Sequence, residues 1–272
     1  MDKNQDESII LSYKTLGSGD ETFIAFHGFG HSKEDFSMIE PFLSQKERII
    51  AIDLFGHGEA KFPNSRMKNE PLTKIEWKNL IEKILIQENV TKFHLIGYSL
   101  GGRMALVTFE MFQDHIKSVF LFSPDGLHKT RSFAFANESK LGRALFRKGI
   151  SHYPKVKPIV QFLHDFRLVP RSKARFVLRQ MENPARIEMA KYVWSALSLC
   201  WPNLHKIFND KTKNIQVVVL FGQYDPLIKA SYGNVLKNFP EHNIRKFVLP
   251  MGHRTIAQEG FELLQKEGLW PV

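Results

Sequence analysis

The chain has 272 residues, 43% hydrophobic and 24% charged, which suits one folded domain of α/β type with an inserted lobe and argues against disorder. The formal net charge is +10, and the single cysteine, Cys200, excludes an internal disulfide and agrees with a reducing compartment. The polar N-terminus resembles no secretory signal and no stretch approaches 18 apolar residues, so we expect a cytoplasmic protein without a membrane-spanning segment.

Short apolar runs alternate with helical spacing over the first 125 residues. Residues 9–16 predict an antiparallel edge strand, and buried strands are predicted at 23–26, 49–52, 93–96 and 119–122. Apolar residues at steps of three to five predict helices within 75–85 and 104–111. This alternation is typical of a mostly parallel sheet with helices on both faces.

The middle of the chain, residues 127–212, has helical periodicity and no convincing strand. Prolines divide it into several short predicted helices: Pro154, Pro158, Pro170, Pro184 and Pro202. The sheet pattern then returns, with strands predicted at 215–221 and 244–249 and a closing helix at 256–266. We therefore predict a core formed by 1–126 and 213–272 and a helical cap formed by 127–212.

The excess positive charge lies entirely in that middle segment. Residues 127–212 hold 17 Lys and Arg against 5 Asp and Glu, a net of +12, and the remainder has a net of −2. Two interpretations of this charge are open. It belongs either to a solvated helical surface that has no specific role, or to a surface that attracts an anionic substrate, an acidic partner or a membrane surface. Nucleic acid is not expected as a partner, because the sequence carries no known nucleic-acid-binding motif.

The strongest chemical signal is the sequence Gly-Tyr-Ser-Leu-Gly-Gly at residues 97–102. It lies between a predicted strand and a predicted helix, which is the context that a Gly-x-Ser-x-Gly nucleophile elbow requires. Side chains two residues either side of the serine would collide in such a strained turn, so glycine is needed there. We predict Ser99 as the nucleophile.

A second glycine-rich turn, His-Gly-Phe-Gly at residues 27–30, directly follows the strand at 23–26. Its position is typical of an oxyanion loop, whose backbone approaches the substrate closely. We predict that the backbone N–H groups of Phe29 and Leu100 form the oxyanion hole.

The acid and base of a serine triad are predicted after the last two strands. Asp225 follows the strand at 215–221, and His253 follows the strand at 244–249, in the chain order Ser, Asp, His that this kind of site uses. Serine needs a histidine to take its proton, and the histidine needs a carboxylate to fix its tautomer. Asp125, after the strand at 119–122, is the competing acid, and we interpret His57 as structural.

The sequence resembles the α/β-hydrolase family. Residues 52–60, Ile-Asp-Leu-Phe-Gly-His-Gly-Glu-Ala, are similar to the family's Asp-x-x-Gly-His-Gly turn, and the signals above follow in the family's order along the whole chain. The resemblance implies a mostly parallel eight-stranded sheet with a helical cap over the active site, inserted after the sixth strand. It also implies that Asp53, Gly56 and Gly58 serve the fold and not the reaction.

The elbow with its following arginine, residues 97–103, is also similar to that of the menaquinone-pathway SHCHC (2-succinyl-6-hydroxy-2,4-cyclohexadiene-1-carboxylate) synthases. Those enzymes use the triad for proton abstraction with pyruvate elimination, and their substrate is anionic. The similarity makes Arg103 a candidate for substrate binding. We add Tyr98, the residue before Ser99, as a second candidate. A packing role for Arg103 remains the alternative.

Together these observations predict a serine hydrolase that cleaves an ester-type bond of a small, anionic or neutral molecule through an acyl-enzyme. The alternatives are an SHCHC-synthase-like lyase, a C–C bond hydrolase with the same triad, and a hydrolase-like small-molecule receptor. No metal ion or organic cofactor is implied. The sequence does not specify the substrate or the oligomeric state.

Overall fold

The fold is described from a computed structural model. It describes residues 8–67, 70–129, 134–135, 139–165, 175, 178–179 and 181–270. Contacts divide the chain into two compact units, one formed by residues 10–60, 73–128 and 200–270 and the other by the described parts of 1–9, 61–72 and 129–199. We call them the sheet unit and the helical unit. Residues 61–72 thus belong with the helical unit although they precede the inserted segment.

The sheet unit contains one sheet of seven strands. They are β1 (Tyr13–Gly17), β2 (Glu21–Phe26), β3 (Glu47–Ile52), β4 (Phe93–Tyr98), β5 (Ile116–Phe122), β6 (Gln216–Gly222) and β7 (Ile244–Leu249). Their order is β1-β3-β2-β4-β5-β6-β7, and only β1 pairs antiparallel, with β3. The mostly parallel sheet and its antiparallel edge strand agree with the sequence prediction.

Helices connect the strands of this unit. They are α1 (Lys74–Gln87), α2 (Leu100–Met111), α6 (Leu204–Ile207) and α7 (Gln258–Lys266), with 3₁₀ segments at Lys33–Phe42, Gln113–His115, Asp210–Thr212 and Ala230–Asn238. The helical unit contains α3 (Lys140–Ser151), α4 (Tyr153–Asp165) and α5 (Pro184–Leu197). None of the helices in the described ranges is both long and apolar enough to cross a bilayer.

Helices cover both faces of the sheet because its central strands are apolar on both sides. On one face, α1 begins with a capping box at Thr73, and its buried Trp77 donates a hydrogen bond to Thr108 of α2 at 2.9 Å. On the other face, the rings of Phe23 and Trp270 lie 4.5 Å apart in a cluster with the buried residues of α7. The central strands are thereby packed on both faces, and the loops at their ends start from this packed core.

Three details differ from the expectations. The resemblance implies eight strands with the insertion after the sixth, whereas the described residues form seven, and the helical unit follows the fifth, β5. Pro158 lies within α4 and does not divide two helices, since a proline removes only one helical hydrogen bond where the neighbouring turns still form. Pro184 is the first residue of α5, which Asn183 caps, and Pro170 lies outside the described residues.

Candidate active site

Four loops meet at the carboxyl edge of the sheet. Residues 27–30 follow β2, Ser99 follows β4, Asp225 follows β6 and His253 follows β7. Parallel strands end at a common edge, so residues that are up to 226 positions apart in the chain come together there. The structure thus places the predicted residues in one region of the sheet unit.

Ser99 lies in a strained turn between β4 and α2. Its backbone angles are φ 52° and ψ −116°, outside the regions that a residue with a side chain usually adopts. Two backbone hydrogen bonds join the turn to the end of β5 and the loop after it: the Ser99 N–H donates to the Phe122 carbonyl at 3.0 Å, and the Asp125 N–H donates to the Ser99 carbonyl at 2.9 Å. The loop after β5 therefore fixes the elbow from the side.

The glycines around Ser99 are required by close contacts. A Cβ atom on Gly101 would lie 1.9 Å from the Phe26 carbonyl oxygen, and one on Gly97 would lie 2.7 Å from the Gly101 oxygen. Any larger residue would push α2 away from the ends of β2 and β4. The Gly-x-Ser-x-Gly spacing thus follows from the packing of this turn.

Ser99, His253 and Asp225 form a continuous hydrogen-bonded chain. His253 Nε2 lies 2.8 Å from Ser99 Oγ, and His253 Nδ1 lies 2.6 Å from Asp225 Oδ2. With Nδ1 protonated and facing the carboxylate, Nε2 is free of its proton and can accept that of the serine hydroxyl. This is the geometry that converts a hydroxyl into a nucleophile.

The Asp225 carboxylate is held by two further hydrogen bonds. Its Oδ1 accepts from the Leu227 N–H at 2.8 Å and from the Ile228 N–H at 3.0 Å. Its side chain is fully buried. One oxygen is therefore anchored by the backbone and the other is directed at the histidine.

The loop at residues 27–30 lies against the elbow. A Cβ atom on Gly28 would lie 2.9 Å from the Tyr98 ring and 3.2 Å from Ser99 Cβ, so glycine lets the two loops approach. Leu100 is the first residue of α2, where a backbone N–H has no acceptor within its own helix. Phe29 follows Gly28 directly, so one predicted oxyanion donor lies in a loop that contacts Ser99 and the other is the residue after Ser99.

Two buried histidines support this loop, a role that the sequence did not reveal. His27 Nε2 accepts the Leu54 N–H at 3.0 Å, and His57 Nε2 accepts the Gly30 N–H at 2.9 Å. Burial lowers the pKa of His27 to about 3 and also lowers the pKa of His57. Both rings therefore stay neutral and keep an acceptor for the loop.

The turn that carries His57 is anchored by Asp53. The buried Asp53 carboxylate accepts from the Lys33 N–H at 2.8 Å, and a Cβ atom on Gly58 would lie 2.0 Å from Asp53 Oδ2. These contacts explain the Asp-x-x-Gly-His-Gly pattern as support for the neighbouring loop. That pattern was the only sequence signal of this support.

Tyr98 is buried beside the hydrogen-bonded chain. Its ring centroid lies 5.4 Å from that of His253 and 5.5 Å from that of His31. Burial, with a smaller contribution from the Asp225 charge, raises the pKa of Tyr98 to about 12. A neutral tyrosine therefore packs against the imidazole.

Arg103 is buried in α2 and forms an ion pair with Asp125. Its Nε lies 3.2 Å from Asp125 Oδ2, and its guanidinium carbon lies 5.6 Å from the centre of the Trp201 ring. The pair gives Asp125 a partner other than His253, and it neutralises the cation that the resemblance suggested for substrate binding. These contacts favour the packing role of Arg103.

Substitution of Arg103 by methionine tests that role. Methionine keeps much of the side-chain volume but leaves Asp125, which is about a quarter exposed, without its ion pair. We expect Arg103→Met to lower the free energy of unfolding in urea by about 1–3 kcal/mol and Arg103→Met/Asp125→Asn to recover part of that loss. Unchanged stability together with a raised KM for an anionic ester would instead indicate substrate binding.

Comparison with known proteins identifies related sequences and folds. The family model described as the alpha/beta hydrolase fold matches residues 21–259. A protein of Bacillus subtilis (strain 168), provisionally assigned as a 2-succinyl-6-hydroxy-2,4-cyclohexadiene-1-carboxylate synthase, is 24% identical over 250 residues. That match covers 90% of this chain and 88% of the relative.

Solved structures share the fold at low sequence identity. A variant of the meta-cleavage product hydrolase from Pseudomonas fluorescens IP01 is 19% identical, with a TM-score of 0.60, over 96% of this chain and 93% of its own. An esterase from Thermogutta terrifontis is also 19% identical, with a TM-score of 0.61, over the same shares of the two chains. At this identity the likeness concerns the fold.

Proposed function

Because the chain belongs to the α/β-hydrolase fold family, we propose that it is a serine hydrolase that cleaves an ester bond of a small molecule through an acyl-enzyme. The observation that carries this proposal is the chain of hydrogen bonds from Asp225 through His253 to Ser99, at 2.6 and 2.8 Å. A hydroxyl with a base in contact, and a carboxylate behind the base, has the arrangement that activates a serine for nucleophilic catalysis.

The reaction proceeds in two halves. Ser99 Oγ attacks the ester carbonyl carbon while His253 Nε2 takes the hydroxyl proton, and Asp225 stabilises the imidazolium that forms. The carbonyl oxygen becomes an oxyanion, which accepts hydrogen bonds from the Phe29 and Leu100 N–H groups. The carbon–oxygen bond to the alcohol then breaks, and His253 returns the proton to the departing alkoxide.

The second half repeats the same steps with water. His253 accepts a proton from the water molecule as its oxygen attacks the acyl carbon, and the bond to Ser99 Oγ breaks as the serine regains a proton. The products are a carboxylic acid and an alcohol, and no redox step or cofactor enters this reaction. No cluster of His, Cys, Asp and Glu in the described part of the chain could hold a metal ion.

Turnover of short p-nitrophenyl esters tests the proposal directly. An esterase releases many equivalents of p-nitrophenol for each protein molecule, with a first burst if hydrolysis of the acyl-enzyme is slow. A hydrolase-like receptor releases about one equivalent or none. Lack of turnover across acyl chains of different length would therefore favour the receptor.

A lyase of the SHCHC-synthase kind is the second candidate, favoured by the relative from Bacillus subtilis that matches 90% of the chain. In this reaction the same triad abstracts a proton from the substrate, and pyruvate is eliminated. The pairing of Arg103 with Asp125 counts against it, because the arginine expected to bind the anionic substrate is already neutralised. Release of pyruvate from the substrate of SHCHC synthases, faster than ester hydrolysis, would establish the lyase instead.

The positive charge predicts a preference among esters. With a net charge of +10, the protein attracts anions over long distances, so kcat/KM should be higher for an ester bearing a carboxylate than for a neutral ester of equal size. Charges are screened within about 10 Å at 0.1 M salt, so we expect the preference to shrink as salt is added. The measurement is kcat/KM for a matched pair of esters over a salt series.

The control in this series is the neutral ester, whose kcat/KM should hardly depend on salt. Absence of an anionic preference at low salt would show that the basic residues of the segment 127–212 do not attract the substrate. A preference that persists at high salt would indicate a dedicated anion site and favour the lyase.

A further inference from the structure

Exposed apolar side chains are concentrated in one part of the helical unit. Of the eleven large hydrophobic side chains that are exposed in the described residues, five lie within residues 135–162. The five are Phe135, Leu141, Leu145, Ile159 and Phe162. The other six are scattered over the rest of the chain, so this cluster is the one that indicates an interaction surface.

Helix α3 exposes an apolar stripe to solvent. Leu141, Ala144, Leu145 and Lys148 occupy positions i, i+3, i+4 and i+7 of one helical face and are all exposed, with Leu141 and Leu145 more than half accessible. The same helix contacts α5, and its one buried residue among those described is Gly142. Leu141 and Leu145 remain mostly accessible despite that contact.

Helix α4 repeats this arrangement. Lys155, Pro158, Ile159 and Phe162 have the same spacing and are all exposed, and Ile159 and Phe162 are each more than half accessible. His152 alone separates the two helices, which contact each other. We call the exposed residues of these two stripes the α3–α4 surface.

The charges carried by these two helices are predominantly basic. Residues 139–165 contain six Lys and Arg and one acidic residue, Asp165, a net of +5. Lys148 and Lys155 belong to the stripes themselves, and Lys140 is exposed at the start of α3. Apolar side chains flanked by basic ones on short helices are typical of segments that lie in the interface of an anionic bilayer.

Other occupants fit this surface less well. A second copy of the chain would bring two surfaces with a net charge of +5 together, and like charges at an interface oppose association. A nucleic acid would match the charge but leave Leu145, Ile159 and Phe162 in water. A bilayer with anionic lipids accepts both the lysines and the apolar side chains.

We propose that the α3–α4 surface docks the protein on membranes containing anionic lipids. Leu141, Leu145, Ile159 and Phe162 enter the boundary between headgroups and acyl chains, and the lysines contact the lipid phosphates. This docking is independent of the proposed hydrolase activity, since it involves neither Ser99 nor the loops around it.

Vesicle sedimentation with the full chain tests the proposal. We expect the protein to sediment with vesicles of phosphatidylcholine and phosphatidylglycerol, to bind vesicles of phosphatidylcholine alone much less, and to dissociate as salt is added. Equal binding to both vesicles, or binding to neither, would overturn the proposal. Because the readout is lipid binding, failure of the proposed esterase activity would leave this result unaffected.

Substitutions separate the charged and the apolar contributions. Lys148→Gln and Lys155→Gln should each weaken the partition coefficient about fivefold on anionic vesicles. Leu145→Ser/Ile159→Ser should weaken it by about tenfold or more, because two apolar side chains no longer enter the bilayer. All these positions are exposed, and circular dichroism verifies that the variants remain folded.

The sheet unit offers matched controls on α1. Ile75 and Ile86 are even more exposed, and Lys83 is also exposed on that helix, so Ile75→Ser/Ile86→Ser and Lys83→Gln should leave vesicle binding within about twofold of the wild type. Equal losses in these controls would contradict a specific surface. A concentration-dependent dimer that Leu145→Ser/Ile159→Ser abolishes would assign the surface to a second copy and overturn the membrane proposal.

Discussion

Substitution of Ser99 by alanine is expected to abolish covalent labelling by a fluorophosphonate probe and to lower kcat for an activated ester by about 10⁴- to 10⁶-fold. The probe reacts only with a serine whose proton can pass to a neighbouring base, and Ser99 Oγ lies 2.8 Å from His253 Nε2. Alanine retains the Cβ atom and the backbone of the elbow, so the fold and its melting temperature should change little. Labelling is measured by in-gel fluorescence.

Ser123 provides a matched control for this experiment. It also has a positive φ, 41°, and directly follows a strand, β5, but its hydroxyl accepts from the Thr255 hydroxyl at 3.1 Å and does not donate to a histidine. Ser123→Ala should therefore keep full labelling. Strong labelling of Ser99→Ala, or its loss in Ser123→Ala, would place the nucleophile elsewhere.

The sequence predicted those parts of the fold whose signals are local. The four loops of the candidate site follow β2, β4, β6 and β7. Each of these strands is a short apolar run and was predicted within a few residues of its observed position. The elbow could be predicted because its glycines are required by close contacts. These contacts are with residues of β4 and α2 near Ser99 and with the end of β2. Such contacts leave a fixed spacing in the sequence.

Contacts between distant segments left no such spacing. Asp125 was a reasonable competitor for the acid because it also follows a strand, and only the structure pairs it with Arg103. The assignment of residues 61–72 to the helical unit also depends on contacts between distant segments. A hydrogen bond joins Phe62 and Tyr192, which are 130 positions apart in the chain. Periodicity reports which face of an element is apolar but not which element covers it.

The two histidines that support the loop at residues 27–30 show the same limit. The sequence indicated that His57 is structural, but the acceptor role of its Nε2 towards the Gly30 N–H depends on a contact across 27 residues. Burial keeps this ring neutral by lowering its pKa, and neutrality is what allows a ring nitrogen to accept a hydrogen bond. The shape of the predicted oxyanion loop thus depends on groups outside the predicted triad.

Substitution of Asp225 by asparagine is expected to lower kcat by about 10⁴-fold while leaving stability nearly unchanged. The reason lies in the two oxygens of the carboxylate. Oδ1 accepts two backbone N–H groups, from Leu227 and Ile228, and those donors require an oxygen at that position. In Asp225→Asn the side-chain NH₂ must then face His253 Nδ1, where the carboxylate oxygen Oδ2 lies in the wild type.

An NH₂ group in that position reverses the tautomer of the histidine. It donates to Nδ1, so the imidazole proton moves to Nε2, and Nε2 can no longer accept the proton of Ser99. The backbone hydrogen bonds of the loop survive, which is why the loss should appear in kcat and not in the melting temperature.

Asp125→Asn is the matched control: the Asp125 carboxylate contacts Arg103, so this variant should lose stability and change kcat only slightly. The measurement is kcat for a p-nitrophenyl ester together with thermal unfolding for both variants, and a large loss of kcat in Asp125→Asn with little in Asp225→Asn would transfer the acid to the loop after β5.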